Sequence, residues 1–254
     1  MDPPEPTTYH APGNATRDPT PDPFDLRPTH PPHPNPSPFR PPIELRGAPP
    51  PRGGGPLTLL RFMRANHMLS LAYARMLLRL VLLKLRWRGR LVTDGICFIC
   101  PGVQLEIGKH AKLHIGRWAW VGHGSKLRVH EGEVTIGAKT VMGQECTISA
   151  FQHVSIGREC IVADRVMLID FDHGIVEVER PIRLQGIYKR DVRVGHNVWI
   201  GYGACILRGV RVGENSVIGT GAVVTKEVPA NAVVGGIPAR VIRMREAPQS
   251  LRWE

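Results

Sequence analysis

No apolar run of about 18 uncharged residues exists in this chain, and a membrane-spanning helix is therefore not assigned. Nor does an apolar stretch sit near the amino terminus. The first begins near residue 57, behind a long proline-rich segment, which argues against a secretory signal. Cysteine is scarce and odd in number, at Cys97, Cys100, Cys146, Cys160 and Cys205. A single CFIC pair without a second pair is a weak zinc signal, and reduced, buried thiols of a cytoplasmic protein are expected instead. Acid is outweighed, with 22 Asp and Glu against 33 Lys and Arg and a formal charge of +11. Such a balance suits nucleic acid, acidic sugars or anionic lipid, and the placement of the charge decides among them.

Proline is almost absent from the larger part of the chain, because 19 of its 24 residues fall in residues 1–56. That segment has too few aliphatic residues to offset its ordering entropy and is expected to be a disordered or polyproline-like tail. Its His10, His30 and His33 lack metal-ligand spacing. The positive charge gathers next, in residues 57–90, where Arg61, Arg64, Arg75, Arg79, Arg86 and Arg90 fall on one stripe of a helical wheel beside a broad apolar face. A basic amphipathic helix is expected there. It either caps the following domain or makes peripheral contact with the inner face of a membrane. Nucleic acid is not an expected partner.

The remainder is organised by a period of six. Val194, Ile200, Ile206, Val212, Ile218 and Val224 return every six positions, and a compact residue follows each by four: Val198, Ala204, Val210, Ser216, Ala222 and Val228. Neither a helix nor an alternating strand has that period; a parallel β-helix of hexapeptides does, with three hexads to a coil. Working backward, Ile156, Val162 and Leu168 form one coil, Ile136, Met142 and Ile148 another, and Ile115, Val121 and Leu127 a third. The β-helix domain is expected over 91–243, followed by a tail over 244–254. One interruption is long, residues 169–193, and its Ile175, Val176, Val178, Ile182, Ile187 and Tyr188 suggest a packed loop. Loops of that length in a compact repeat are commonly functional.

The stretch from NVWIG through GAVVTKEVP to GIPARVI resembles the hexapeptide-repeat O-acetyltransferases, a family that includes maltose, galactoside and surface-polysaccharide acetyltransferases. The resemblance covers residues 95–243. It implies an all-β, left-handed parallel β-helix, against the usual crossover hand, and a homotrimer that uses acetyl-CoA as co-substrate. It further implies that His173, on the long loop, is the general base toward a sugar hydroxyl, with Asp170 or Asp172 orienting it. Trp199, Tyr202, Thr220, Thr225 and Lys226 are the implied coenzyme-binding positions.

Where galactoside- and maltose-type relatives hold the acceptor with Asn and Asp, this chain has Gly143 and Phe151. Gln144, Glu145 and Gln152 are the nearby polar substitutes. The acceptor is accordingly expected to be a saccharide of a surface polysaccharide or glycolipid precursor and not free galactoside or maltose. An amino sugar or a xenobiotic alcohol is the alternative acceptor, and a non-catalytic trimeric scaffold the alternative role. His110, His114, His123, His130, His153 and His196 show no ligand spacing, so no metal is expected.

Overall fold

The computed structural model describes residues 55–66 and 68–246. Most of the proline-rich segment and of the carboxyl-terminal tail lies outside those residues. Two helices lead into a three-sided parallel β-helix. Its first side stacks Leu91–Thr93, Lys112–Ile115, Glu133–Ile136, His153–Ile156, Val192–Val194 and Arg211–Val212. The second stacks Phe98–Ile99, Trp120–Val121, Val141–Met142, Ile161–Val162, Trp199–Ile200, Val217–Ile218 and Ala232–Gly235, and ends on the antiparallel Arg240–Met244. The third stacks Gln104–Ile107, Lys126–Val129, Thr147–Ala150, Met167–Ile169, Cys205–Ile206 and Val223–Val224.

Each side carries a column of inward aliphatic residues that continues from coil to coil. Ile115, Ile136, Ile156, Val194 and Val212 are successive partners on the first side. Val121, Met142, Val162, Ile200 and Ile218 follow one another on the second, and Leu127, Ile148, Leu168, Ile206 and Val224 on the third. All are buried, so the hexad read from the sequence is the core of the molecule. Hydroxyls at the small corner positions are satisfied within the core: Thr140 donates to the Gly157 carbonyl at 2.6 Å and accepts from the Cys160 amide at 3.1 Å.

Glycine follows the inward residue at most corners because successive coils nearly touch there. A Cβ on Gly137 would lie 2.3 Å from the Gly157 carbonyl carbon, which no rotation relieves. Two residues on, the corner between the first and second sides turns through the left-handed region in coil after coil, at Trp118, Lys139, Glu159, Asn197 and Asn215.

The expected single helix over 57–90 is instead two, α1 (Pro56–Ala65) and α2 (Leu71–Arg86). Asn66 ends α1, its side-chain amide donating to the Phe62 carbonyl at 2.8 Å. Ser70, in an extended conformation, starts α2 by accepting from the Tyr73 amide at 3.4 Å. The break satisfies free helix ends and lets Met68 join Phe62, Phe98 and Trp118 in a buried cluster that a straight helix would miss. It also dissolves the six-arginine stripe. Arg79 donates to the Val103 carbonyl at 3.3 Å and Arg90 to the Ile107 carbonyl at 2.9 Å, both on the first coil. Leu80 is buried in the same core as Leu91 and Ile99, with Met76, Leu83 and Trp87 packed on it. Helix α2 therefore covers the open end of the β-helix, where unpaired strand edges would otherwise lie bare.

The long insertion also departs from expectation. Ile175, Val176, Val178, Ile182 and Tyr188 are exposed; its order comes from a short antiparallel hairpin, Phe171–His173 against Ile187–Lys189, with the 3-10 turn Ile182–Leu184 between.

Cys97, Cys100, Cys146 and Cys160 are buried free thiols. Burial pushes Cys97 and Cys100 up to about 12 and Cys146 up to about 11, which leaves little thiolate to react. An aromatic disulfide reagent at pH 8 is expected to label at most Cys205 in the native protein and all five thiols after unfolding. Gly137→Ala is expected to lower the denaturation midpoint, at a cost of about 1–3 kcal/mol for an overpacked contact, measured by denaturant unfolding.

Candidate active site

The hairpin leaves the β-helix at the corner between the third side and the first, and one carboxylate holds it there. Asp170, fully buried, accepts from the Phe151 and Gln152 amides, each at 2.8 Å, in the corner one coil below. Its own carbonyl accepts from the Arg190 amide at 2.8 Å, closing the base of the hairpin. Two ion pairs then fix the strands from opposite directions along the shaft. Arg208, two hexads past the loop, meets Asp172 at 2.6 Å, while Lys189 on the returning strand pairs with Glu131 below.

Aromatic rings continue the same corner. His130 stacks on Phe151 with centroids 4.4 Å apart, Phe151 meets Phe171 edge-on at 4.6 Å, and Phe171 meets His173 edge-on at 6.4 Å. Alternation along the strand puts Phe171 and His173 on one face and Asp172 on the other. His173 is exposed. Among the described residues neither Asp170 nor Asp172 is bonded to it: the first carboxylate is committed to corner amides and the second to Arg208. Both support the hairpin and not the imidazole directly.

Of the polar residues near the acceptor positions, Gln152 shares this corner, its amide donating to Asp191 at 2.6 Å. Arg193, 2.8 Å from Asp191, together with that amide holds the Asp191 carboxyl below the usual carboxylate range. Gln144 and Glu145 lie at a different corner, between the second and third sides, where Glu145 pairs with Arg165 at 2.7 Å. The Arg165 guanidinium in turn lies 5.9 Å from the centre of the Tyr202 ring.

The coenzyme positions divide in the same way. Trp199, 40% exposed, stands on the outer face of the second side, and Tyr202, 46% exposed, and Thr220 follow at the next corner. Thr225 and Lys226 are exposed at the hairpin's corner, two coils farther along. The exposed aromatic faces with the Thr220 hydroxyl suit an apolar arm, and the Thr225 hydroxyl with the Lys226 ammonium suits phosphates. Within one chain, however, the two groups occupy different edges of the prism.

Arg208, Lys189 and Glu131 were not visible as site residues in the sequence. Their pairing spans 36 and 58 positions, and each looks like an ordinary corner charge.

Fold and insertion together define a hexapeptide β-helix with one long corner hairpin. Residues 191–226 match the family described as "Bacterial transferase hexapeptide (six repeats)". The chain is 35% identical over 199 residues to probable acetyltransferase Rv3034c of Mycobacterium tuberculosis, covering 78% of this chain and 65% of that one. With the galactoside O-acetyltransferase of Escherichia coli it is 36% identical over 136 residues, 51% of this chain and 62% of the relative. Among solved structures, AntD, an N-acyltransferase from Bacillus cereus in complex with dTDP and 3-hydroxybutyryl-CoA, shares the fold with a TM-score of 0.54. It is 16% identical, over 65% of this chain and 88% of that one. The chain carries the hexapeptide repeat of that transferase family over residues 191–226 and is similar to acetyltransferases over a longer stretch. It spans less than two thirds of the length of either curated relative.

If Arg208 anchors the hairpin, Arg208→Ala should speed hydrogen exchange at the amides of 171–173 and 187–189. Global stability should change by about 1 kcal/mol or less, as for an exposed ion pair. Exchange that stays unchanged there would leave Asp170 and the Lys189–Glu131 pair as the anchors.

Proposed function

We propose that the protein is an acetyl-CoA-dependent O-acetyltransferase whose acceptor is a sugar hydroxyl of a surface polysaccharide or glycolipid precursor. The observation that carries this reading is His173: an exposed imidazole on a hairpin pinned by Asp170, Arg208 and Glu131. The family match and the names of the relatives support the transferase class. In this reading neutral His173 takes the acceptor hydroxyl proton as that oxygen adds to the thioester carbonyl. It then returns the proton to the departing thiolate, so the imidazole ends as it began. Trp199, Tyr202 and Thr220 bind the pantetheine arm, and Thr225 and Lys226 meet phosphate. Gln152 faces the acceptor; Gln144 and Glu145, on another corner, reach it only from a neighbouring subunit.

The division of the site between prism edges supports a homotrimer, in which one copy's hairpin meets the next copy's second side. Ile175, Val176, Val178 and Ile182, bare on the single chain, are the apolar surface such a neighbour covers. Cytoplasmic location with peripheral membrane contact through residues 57–90 belongs to the same reading.

His173→Ala is expected to slow acetyl transfer by about 10²- to 10⁴-fold while coenzyme A still binds by calorimetry; near-normal turnover removes the base assignment. Lys226→Ala is expected to weaken coenzyme A binding, with a smaller loss at high salt. A saccharide acceptor screen with product NMR distinguishes ester from amide and names the acceptor, while light scattering that returns a monomer sinks the shared site.

A further inference from the structure

Helix α2 carries two apolar faces, and the β-helix uses one of them. Leu80, Met76, Leu83 and Trp87 pack on the first coil. On the opposite side Leu71, Leu78, Leu82 and Leu85 form a single stripe, spaced by seven, four and three residues, with Leu71 and Leu85 each 67% exposed. Val81 flanks it, and Leu57 and Leu60 of α1 and Leu69 between the helices are exposed as well. Arg61, Arg64, Arg75, Arg86 and Arg88 are exposed in the same segment. From Pro56 to Thr93 the sequence has eight Lys and Arg and no Asp or Glu.

We propose that α1 and α2 form an interfacial anchor that seats the first-coil end of the β-helix on an anionic lipid bilayer. Leucines enter the acyl boundary and the arginines reach up to lipid phosphates. Charge selects this occupant. A second copy of the face would bring five exposed arginines against five, which repels. Residues 1–54 carry six acids and five bases among prolines, too nearly neutral and too poor in aliphatic residues to match the stripe. An anionic bilayer offers both the apolar layer and the opposite charge.

The anchor deepens the membrane contact in the proposed function and rests on the His173 reading only for its consequence. Coils stack at about 4.8 Å, so the hairpin's coil stands about 14 Å beyond the first one. An acceptor tethered to the same bilayer would therefore meet His173 at a fixed height.

The test is co-sedimentation of the full-length protein with vesicles of phosphatidylglycerol and phosphatidylcholine, or of phosphatidylcholine alone. Binding is expected to the first and not the second, and to fall by about tenfold or more in strong salt. The double variant L78Q/L82Q is expected to lose about tenfold or more per leucine, with melting temperature and light-scattering mass unchanged. No binding to the anionic vesicles, or undiminished binding by L78Q/L82Q, overturns the anchor. So does a change of mass in the variant, which assigns the face to another copy, or binding that appears only once residues 1–54 are cleaved away. None of these readouts involves acetyl transfer, so their failure leaves the catalytic reading standing.

Discussion

Backbone pairing between successive coils is the constraint on which everything else in this molecule rests. The strands are parallel and in register, so each residue on a side stands directly over its counterpart one coil below. Side chains thus form columns. Inside, the columns are aliphatic and exclude water; at the corners they are glycines that permit contact and left-handed residues that turn the chain. Because neighbouring coils are about 4.8 Å apart, a corner column is close enough for rings to stack and for charges to pair. His130, Phe151 and Phe171 are such a column.

The hairpin depends on that column more than on its own contacts. Asp170 occupies the point where the chain would have turned and gives its oxygens to the two amides beneath. Buried hydrogen bonds to a charged group are worth about 1.5–3 kcal/mol each, whereas exposed ion pairs are worth about 0–1. The base of the hairpin is therefore set by Asp170, and Arg208 and Glu131 tune its direction. Since the loop leaves its own apolar side chains bare, its conformation owes little to a core.

The β-helix was legible because its period has a single geometric cause. Six residues span one side and one corner, so any slip would have shown as a broken hexad, and none occurs between Val194 and Val224. The helical segment misled because apolar periodicity runs through Asn66 to Ser70 without interruption, and only the capping chemistry of those two residues marks the break. Arg79 and Arg90 leave the common arginine stripe because the carbonyls of Val103 and Ile107 on the first coil accept from them. The separation of Gln144 and Glu145 from Gln152 was within reach of counting: the first two follow Met142 and the last follows Ile148, which puts them at consecutive corners. Long-range pairs such as Arg208 with Asp172 leave no trace in local spacing.

Where the insertion departs, the shaft proceeds as if it were absent. Val154 pairs with Val192, Ile161 with Trp199 and Met167 with Cys205, joining coils that the sequence holds far apart. The chain therefore behaves as a rod bearing a graft. Lengthening, shortening or exchanging the arm between its two roots alters no rung of the ladder beneath, so the rod can be kept constant while the arm is refashioned.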